Sequence, residues 1–178
     1  MGIQNNINAM LGTTAAAATM GKHLKEQSKA NAIKIAETEV DAAVAEEEAR
    51  QAAVNLDKFD ADFEKANEEL IDQTISTSSP EDHEELINNA LTIKHNKALA
   101  DQEEASLDRA ENYTKGKGSA QRKLNATLDK NLEMAQKALD SVEGERESRR
   151  QLQFNKDLAI KKSEAYKLQL EKLKGGKR

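Results

Sequence analysis

Along residues 35–70 an apolar or small side chain recurs at every third or fourth position without a gap: Ile35, Thr38, Ala42, Ala45, Ala49, Ala52, Leu56, Phe59, Phe63, Ala66 and Leu70. Such spacing puts all of them on one side of a single continuous helix. Because most of that side is alanine, the helix buries too little surface to be stable by itself and must lie against another, from the same chain or from a second copy. Ile33, Ala36, Val40 and Ala43 add a second apolar stripe, which provides for more than one neighbour.

Composition agrees with thin helix-to-helix seams rather than a thick core. Of 178 residues, 33% are charged and 3% aromatic, and the five aromatics Phe59, Phe63, Tyr113, Phe154 and Tyr166 are spread along the chain. Large side chains dominate core burial, so a chain this poor in them is expected to be elongated or oligomeric. Ala, Glu, Lys, Leu and Gln are abundant and there is one proline, Pro80, which favours long helices. The expected fold is all-α: three long helices with coiled-coil-like seams, preceded by a short N-terminal apolar helix.

The absence of cysteine removes both disulfides and thiolate metal sites and fits a reducing compartment. The amino terminus lacks the basic residues that open a secretory signal, and no run reaches the roughly 20 apolar residues of a membrane span. Its first residues resemble a myristoylation start, but Asn6 stands where Ser or Thr is required.

Punctuation divides the chain into four. Residues 1–21 form an uncharged segment with Ile3, Ile7, Met10, Leu11 and Met20 as its larger apolar side chains. Too short to cross a bilayer, it is expected to enter a membrane only with copies of itself, or to dock on a protein partner. Residues 22–79 hold the long acidic helix, which is expected to run to about residue 75 and stop before Pro80. There Ser79 is expected to cap the next helix, with Pro80 at its first position and Asp82 as the reciprocal carboxylate. Residues 80–118 hold the second helix and a glycine hinge at Gly116 and Gly118. Residues 119–178 form a basic helical arm in which Leu124, Leu128, Leu132, Ala135, Leu139 and Val142 make one apolar line. Leu152, Phe154, Leu158, Ala165, Leu168 and Leu170 resume it beyond a charged interruption at residues 145–150. Gly144 is expected to kink this arm or to sit in a helix that continues exposed.

Charge is unevenly spread. Residues 1–114 carry 10 Lys+Arg against 23 Asp+Glu, net −13, and residues 115–178 carry 17 against 9, net +8, which together give the −5 of the whole chain. The basic arm could fold back on the acidic helices, meet them in a neighbouring subunit, or remain solvated. Arg146, Arg149, Arg150, Lys161 and Lys162 are its candidates for an acidic partner or for nonspecific contact with DNA phosphates. Base-specific or single-strand recognition is not expected, because only Phe154 and Tyr166 could stack there.

No motif of catalysis is present. His83-Glu84-Glu85-Leu86-Ile87 opens like a zinc-protease helix, but Ile87 replaces the second histidine, so two imidazoles cannot reach one ion. The residues three before His23, His83 and His95 are Met20, Pro80 and Thr92, which excludes Glu-x-x-His pairs for a di-iron site. Nucleophile elbows, phosphate loops and dinucleotide fingerprints are absent. No enzyme, cofactor or metal is expected.

An uncharged Ala/Gly/Thr-rich start (residues 7–21), alanine- and charge-rich helices such as residues 30–53, and a basic cysteine-free end together resemble the small internal, or ejection, proteins of short-tailed bacteriophages. The resemblance implies a virion protein made in the host cytoplasm. Such a protein forms a homo-oligomer, works with portal, tail or other internal proteins, and acts by helical assembly in genome delivery. Phage scaffolding proteins, with a basic C-terminal segment that binds coat protein, share much of this layout. A portal-associated ring or tail component and a non-viral coiled-coil adaptor share it too.

Overall fold

The computed structural model describes residues 3–115 and 118–175, with side chains from Met20 onward. Its regular elements are four helices in chain order, α1 (Ile3–Ala66), α2 (Glu68–Ser78), α3 (His83–Asn112) and α4 (Ser119–Gly175). The fold is all-α. The N-terminal segment is not a separate helix, since α1 passes through Gly21 unbroken, and α4 likewise continues as helix through the exposed Gly144. Neither glycine faces a neighbour closely, so each is tolerated at the modest cost of a flexible residue in a helix.

The acidic helix stops sooner than its periodicity predicts. At Asn67 the backbone leaves helical values (φ −133°, ψ 37°). The Asn67 amide N–H then donates to the Glu64 carbonyl three residues back, at 3.1 Å, and its side-chain Nδ2 donates to the Phe63 carbonyl at 2.7 Å. Asparagine can satisfy the backbone through its own side chain, which is why it competes with helix continuation. Ala66, at the break, is exposed and does not belong to the buried seam.

The turn around Pro80 also differs from expectation. Proline disfavours right-handed helical geometry in the residue before it, and Ser79 takes the left-handed conformation (φ 44°, ψ 59°) that closes α2. The cap of α3 is Asp82, whose Oδ1 accepts from the Glu85 amide N–H at 2.8 Å. Glu85 in turn accepts from the Glu81 amide N–H at 2.7 Å. Two otherwise unpaired donors are satisfied by one reciprocal device.

The chain forms two compact units. The first comprises residues 1–51 and 157–178, the second residues 52–156. In the first, α1 and α4 run antiparallel, as three ion pairs record: Glu39 with Lys174 at 2.8 Å, Glu46 with Lys167 at 3.4 Å and Glu48 with Lys162 at 2.6 Å. In the second, α2 and α3 turn back on one another, and α3 and α4 form an antiparallel hairpin. The hairpin keeps one register along its length through Arg109 with Asp129 at 2.7 Å, His95 with Glu143 at 3.7 Å, and Lys94 with Glu145 at 2.7 Å. The apolar core of this unit includes a cluster of Phe63, Ile71, Ile87, Ala90 and Leu91 from α1, α2 and α3, flanked by Phe59, Leu70 and Leu86, and a smaller one of Ala98, Leu139 and Val142 between α3 and α4.

Candidate functional site

The seam residues are divided between the units. In the first unit Ala42 and Ala45 are buried together with Thr38, and Ile35 and Ala49 are half-buried. Small side chains let α4 approach closely; opposite them Ser163 is buried and Ala159, Tyr166, Leu170 and Leu173 are half-buried. Thr38 is accommodated because its hydroxyl donates to the Lys34 carbonyl at 2.7 Å, leaving no unpaired polar group. In the second unit Leu56 and Phe63 are buried, and Ala52, Phe59 and Leu70 half-buried.

Inside the second unit lies a polar cluster that the periodicity did not reveal. Arg149 and Asp60 are each only 5% exposed in their side chains. Arg149 Nε and Nη2 donate to the two Asp60 carboxylate oxygens at 2.7 and 2.9 Å, and Nη1 donates to Asn88 Oδ1 at 2.6 Å. The bidentate fork ties α1, α3 and α4 at one level. A signal existed in the sequence: Asp60 stands between Leu56 and Phe63 at seam spacing, and Arg149 follows Val142 by seven residues. Two opposite charges thus occupy apolar lines.

This geometry corrects the assignment of Arg149 to a phosphate or partner surface, since its guanidinium is enclosed and each of its three nitrogens already donates within the unit. Lys162 is held by Glu48, a hydrogen bond that raises its pKa above the ordinary lysine value, and it remains exposed. Arg150 is exposed beside Glu147 at 4.0 Å, Lys161 is exposed and Arg146 half-buried. Of the five, Arg149 is therefore withdrawn from any binding surface and Lys162 is engaged by Glu48. Of the N-terminal docking residues, Met20 is exposed, while the side chains of Ile3, Ile7, Met10 and Leu11 lie outside the described residues.

Two apolar stripes of the first unit remain uncovered. At 3.6 residues per turn, Ile33, Val40 and Val44 lie on the side of α1 away from Thr38, Ala42 and Ala45. Leu158, Ala165 and Leu168 lie on the side of α4 away from Ser163. The five larger ones are all more than half exposed. The spacing joins Leu152, Phe154, Leu158, Ala165, Leu168 and Leu170 into one line; the structure splits it, with Leu152 and Leu170 half-buried and Phe154, Leu158, Ala165 and Leu168 exposed.

Among the described residues no group of three or more His, Asp or Glu side chains is placed to hold a metal ion, and no helix is long and apolar enough to cross a membrane. A groove of about 760 Å³ in the second unit is lined by Asn67, Glu69, Leu70, Gln73, Ile93, Lys94, Asn96 and Lys97. Lys94 there is committed to Glu145 and lies 5.3 Å from the centre of the Phe63 ring, a structural use of the charge. The groove brings no histidine, serine or cysteine to an acid or base. Comparison with known protein families, curated proteins and solved structures found no match.

Proposed function

We propose that this chain is a structural protein that acts by helical assembly, as a virion component of a phage genome-delivery apparatus. The observation that carries the assembly reading is the pair of uncovered apolar stripes, on α1 and on α4, left after the seam between those helices is filled within the chain. Exposed apolar residues aligned along a helix are an unsatisfied packing face, and a protein with little core of its own gains stability by covering them. The virion reading is supported by the layout shared with internal proteins of short-tailed phages. On this reading the scaffold alternative is weaker, because Lys162, Lys167 and Lys174 of the basic segment are already occupied by Glu48, Glu46 and Glu39. The protein acts with portal, tail or other internal proteins, and catalyses nothing.

The test is mass spectrometry of purified mature particles of the virus that encodes the chain. A delivery component is expected at a fixed number of copies per particle. Its presence in empty precursor shells and absence from mature particles would replace this reading with the scaffold one.

A further inference from the structure

The uncovered stripes differ in charge. The α1 stripe interleaves its apolar residues with acids, in the order Ile33, Glu37, Val40, Val44, Glu47, and the α4 stripe interleaves its own with lysines, Leu158, Lys161, Ala165, Leu168, Lys172. Glu37, Lys161 and Lys172 make no ion pair among the described residues, and Glu47 pairs only with Arg50 of its own helix, an exposed contact. Each stripe therefore presents apolar surface and one sign of charge.

We propose that a second copy of this chain lays its α4 stripe antiparallel along the α1 stripe of the first, a contact that repeats from copy to copy. This deepens, and rests on, the assembly reading above. In that orientation Val40 faces Leu168, Val44 faces Ala165, Glu37 faces Lys172 and Glu47 faces Lys161, all within one residue of a common register. The small Ala165 allows close approach, and the long Glu and Lys stems cover the apolar contact while their charges meet at its margin. Pairing α1 with α1, or α4 with α4, would put glutamates or lysines of like sign into one seam, which disfavours the symmetric alternatives. The contact is therefore between different surfaces, so it does not end at a dimer.

Its register is offset from the one used within the chain, where Glu46 meets Lys167 and Glu39 meets Lys174, by up to about five residues, or roughly 7 Å along the helix. Glu48 meets Lys162 inside one molecule, and the neighbouring positions Glu47 and Lys161 would meet between molecules.

The experiment is sedimentation velocity on the full chain over a range of concentrations, with two charge-reversed variants, Glu37→Lys with Glu47→Lys and Lys161→Glu with Lys172→Glu. All four positions are exposed, so each variant is expected to keep its helical circular dichroism. Each alone is expected to associate at least about tenfold more weakly than the natural chain, since like charges then oppose across the contact. An equimolar mixture of the two restores association, as does a single chain carrying all four changes. If the natural chain self-associates and either variant does so equally well, the proposed surface is overturned while the assembly reading stands. If the natural chain remains monomeric at every concentration, both are overturned.

Discussion

Arg149 shows how burial changes the meaning of a charge. In a run of Glu145, Arg146, Glu147, Arg149 and Arg150 it reads as one more solvated cation, yet it alone of the three arginines is enclosed, against Asp60 and Asn88. Removing one partner of a buried pair leaves an uncompensated charge and typically costs about 3 to 5 kcal/mol. Arg149→Met alone is expected to lose that much in denaturant unfolding, and Asp60→Leu with Arg149→Met to recover most of it. A second prediction concerns exposed pairs. Glu133 accepts from Lys137 one turn on, and that hydrogen bond, more than the charge itself, holds the carboxyl below its ordinary range. A depressed carboxylate contributes stability that is present above its unfolded pKa and lost as the pH falls through the lower folded value. Lys137→Ala should move the Glu133 midpoint upward in a carbon-detected titration by nuclear magnetic resonance, and an unmoved midpoint would show the pair to be idle in solution.

At the scale of the elements, periodicity located the helices because apolar spacing and helix-forming composition act along the sequence. It failed at their joints, where several residues can serve one purpose. Ser79 and Asp82 are both good capping residues. Ser79 is taken up as the left-handed C-cap of α2, its amide N–H on the Ile75 carbonyl, which leaves Asp82, in extended geometry, to cap α3. Asn67 breaks α1 from α2 in the middle of an otherwise regular seam, and nothing in the spacing of Phe63, Ala66 and Leu70 announces it. Gly144, a glycine beside a charged run, allows either a kink or a helix that continues exposed, and α4 continues. Its backbone is helical and a Cβ would meet nothing within 4 Å. Gly144→Ala should therefore stabilise the protein by about 0.8 to 1.0 kcal/mol, the propensity difference within a helix, seen as a higher Tm with no change in helical content. A lower Tm would mean that the added methyl meets a contact this helix does not reveal.

For the molecule as a whole, the sequence makes legible that the alanine-rich side of α1 requires a partner, but not which one. Spacing along a helix carries no information about a helix more than a hundred residues later. What links them is charge: acids on residues 39–48 and lysines on residues 162–174, the local expression of the −13 and +8 parts of the chain. Exposed pairs are individually weak and screened by salt, so their joint effect should depend on ionic strength. The combined substitution Lys162→Glu, Lys167→Glu and Lys174→Glu opposes each introduced acid to Glu48, Glu46 and Glu39. It leaves the small-residue seam, Ala42, Ala45 and Ser163, untouched. If charge selects this pairing and close packing sustains it, the triple variant unfolds at a clearly lower temperature than the natural chain in low salt, and the difference largely disappears near 1 M salt, where the screening length is about 3 Å. Circular dichroism melts at the two salt concentrations test this. An equal deficit at both would place the cause in disturbed packing, and no deficit at either would leave the small-residue seam to hold α1 against α4 unaided.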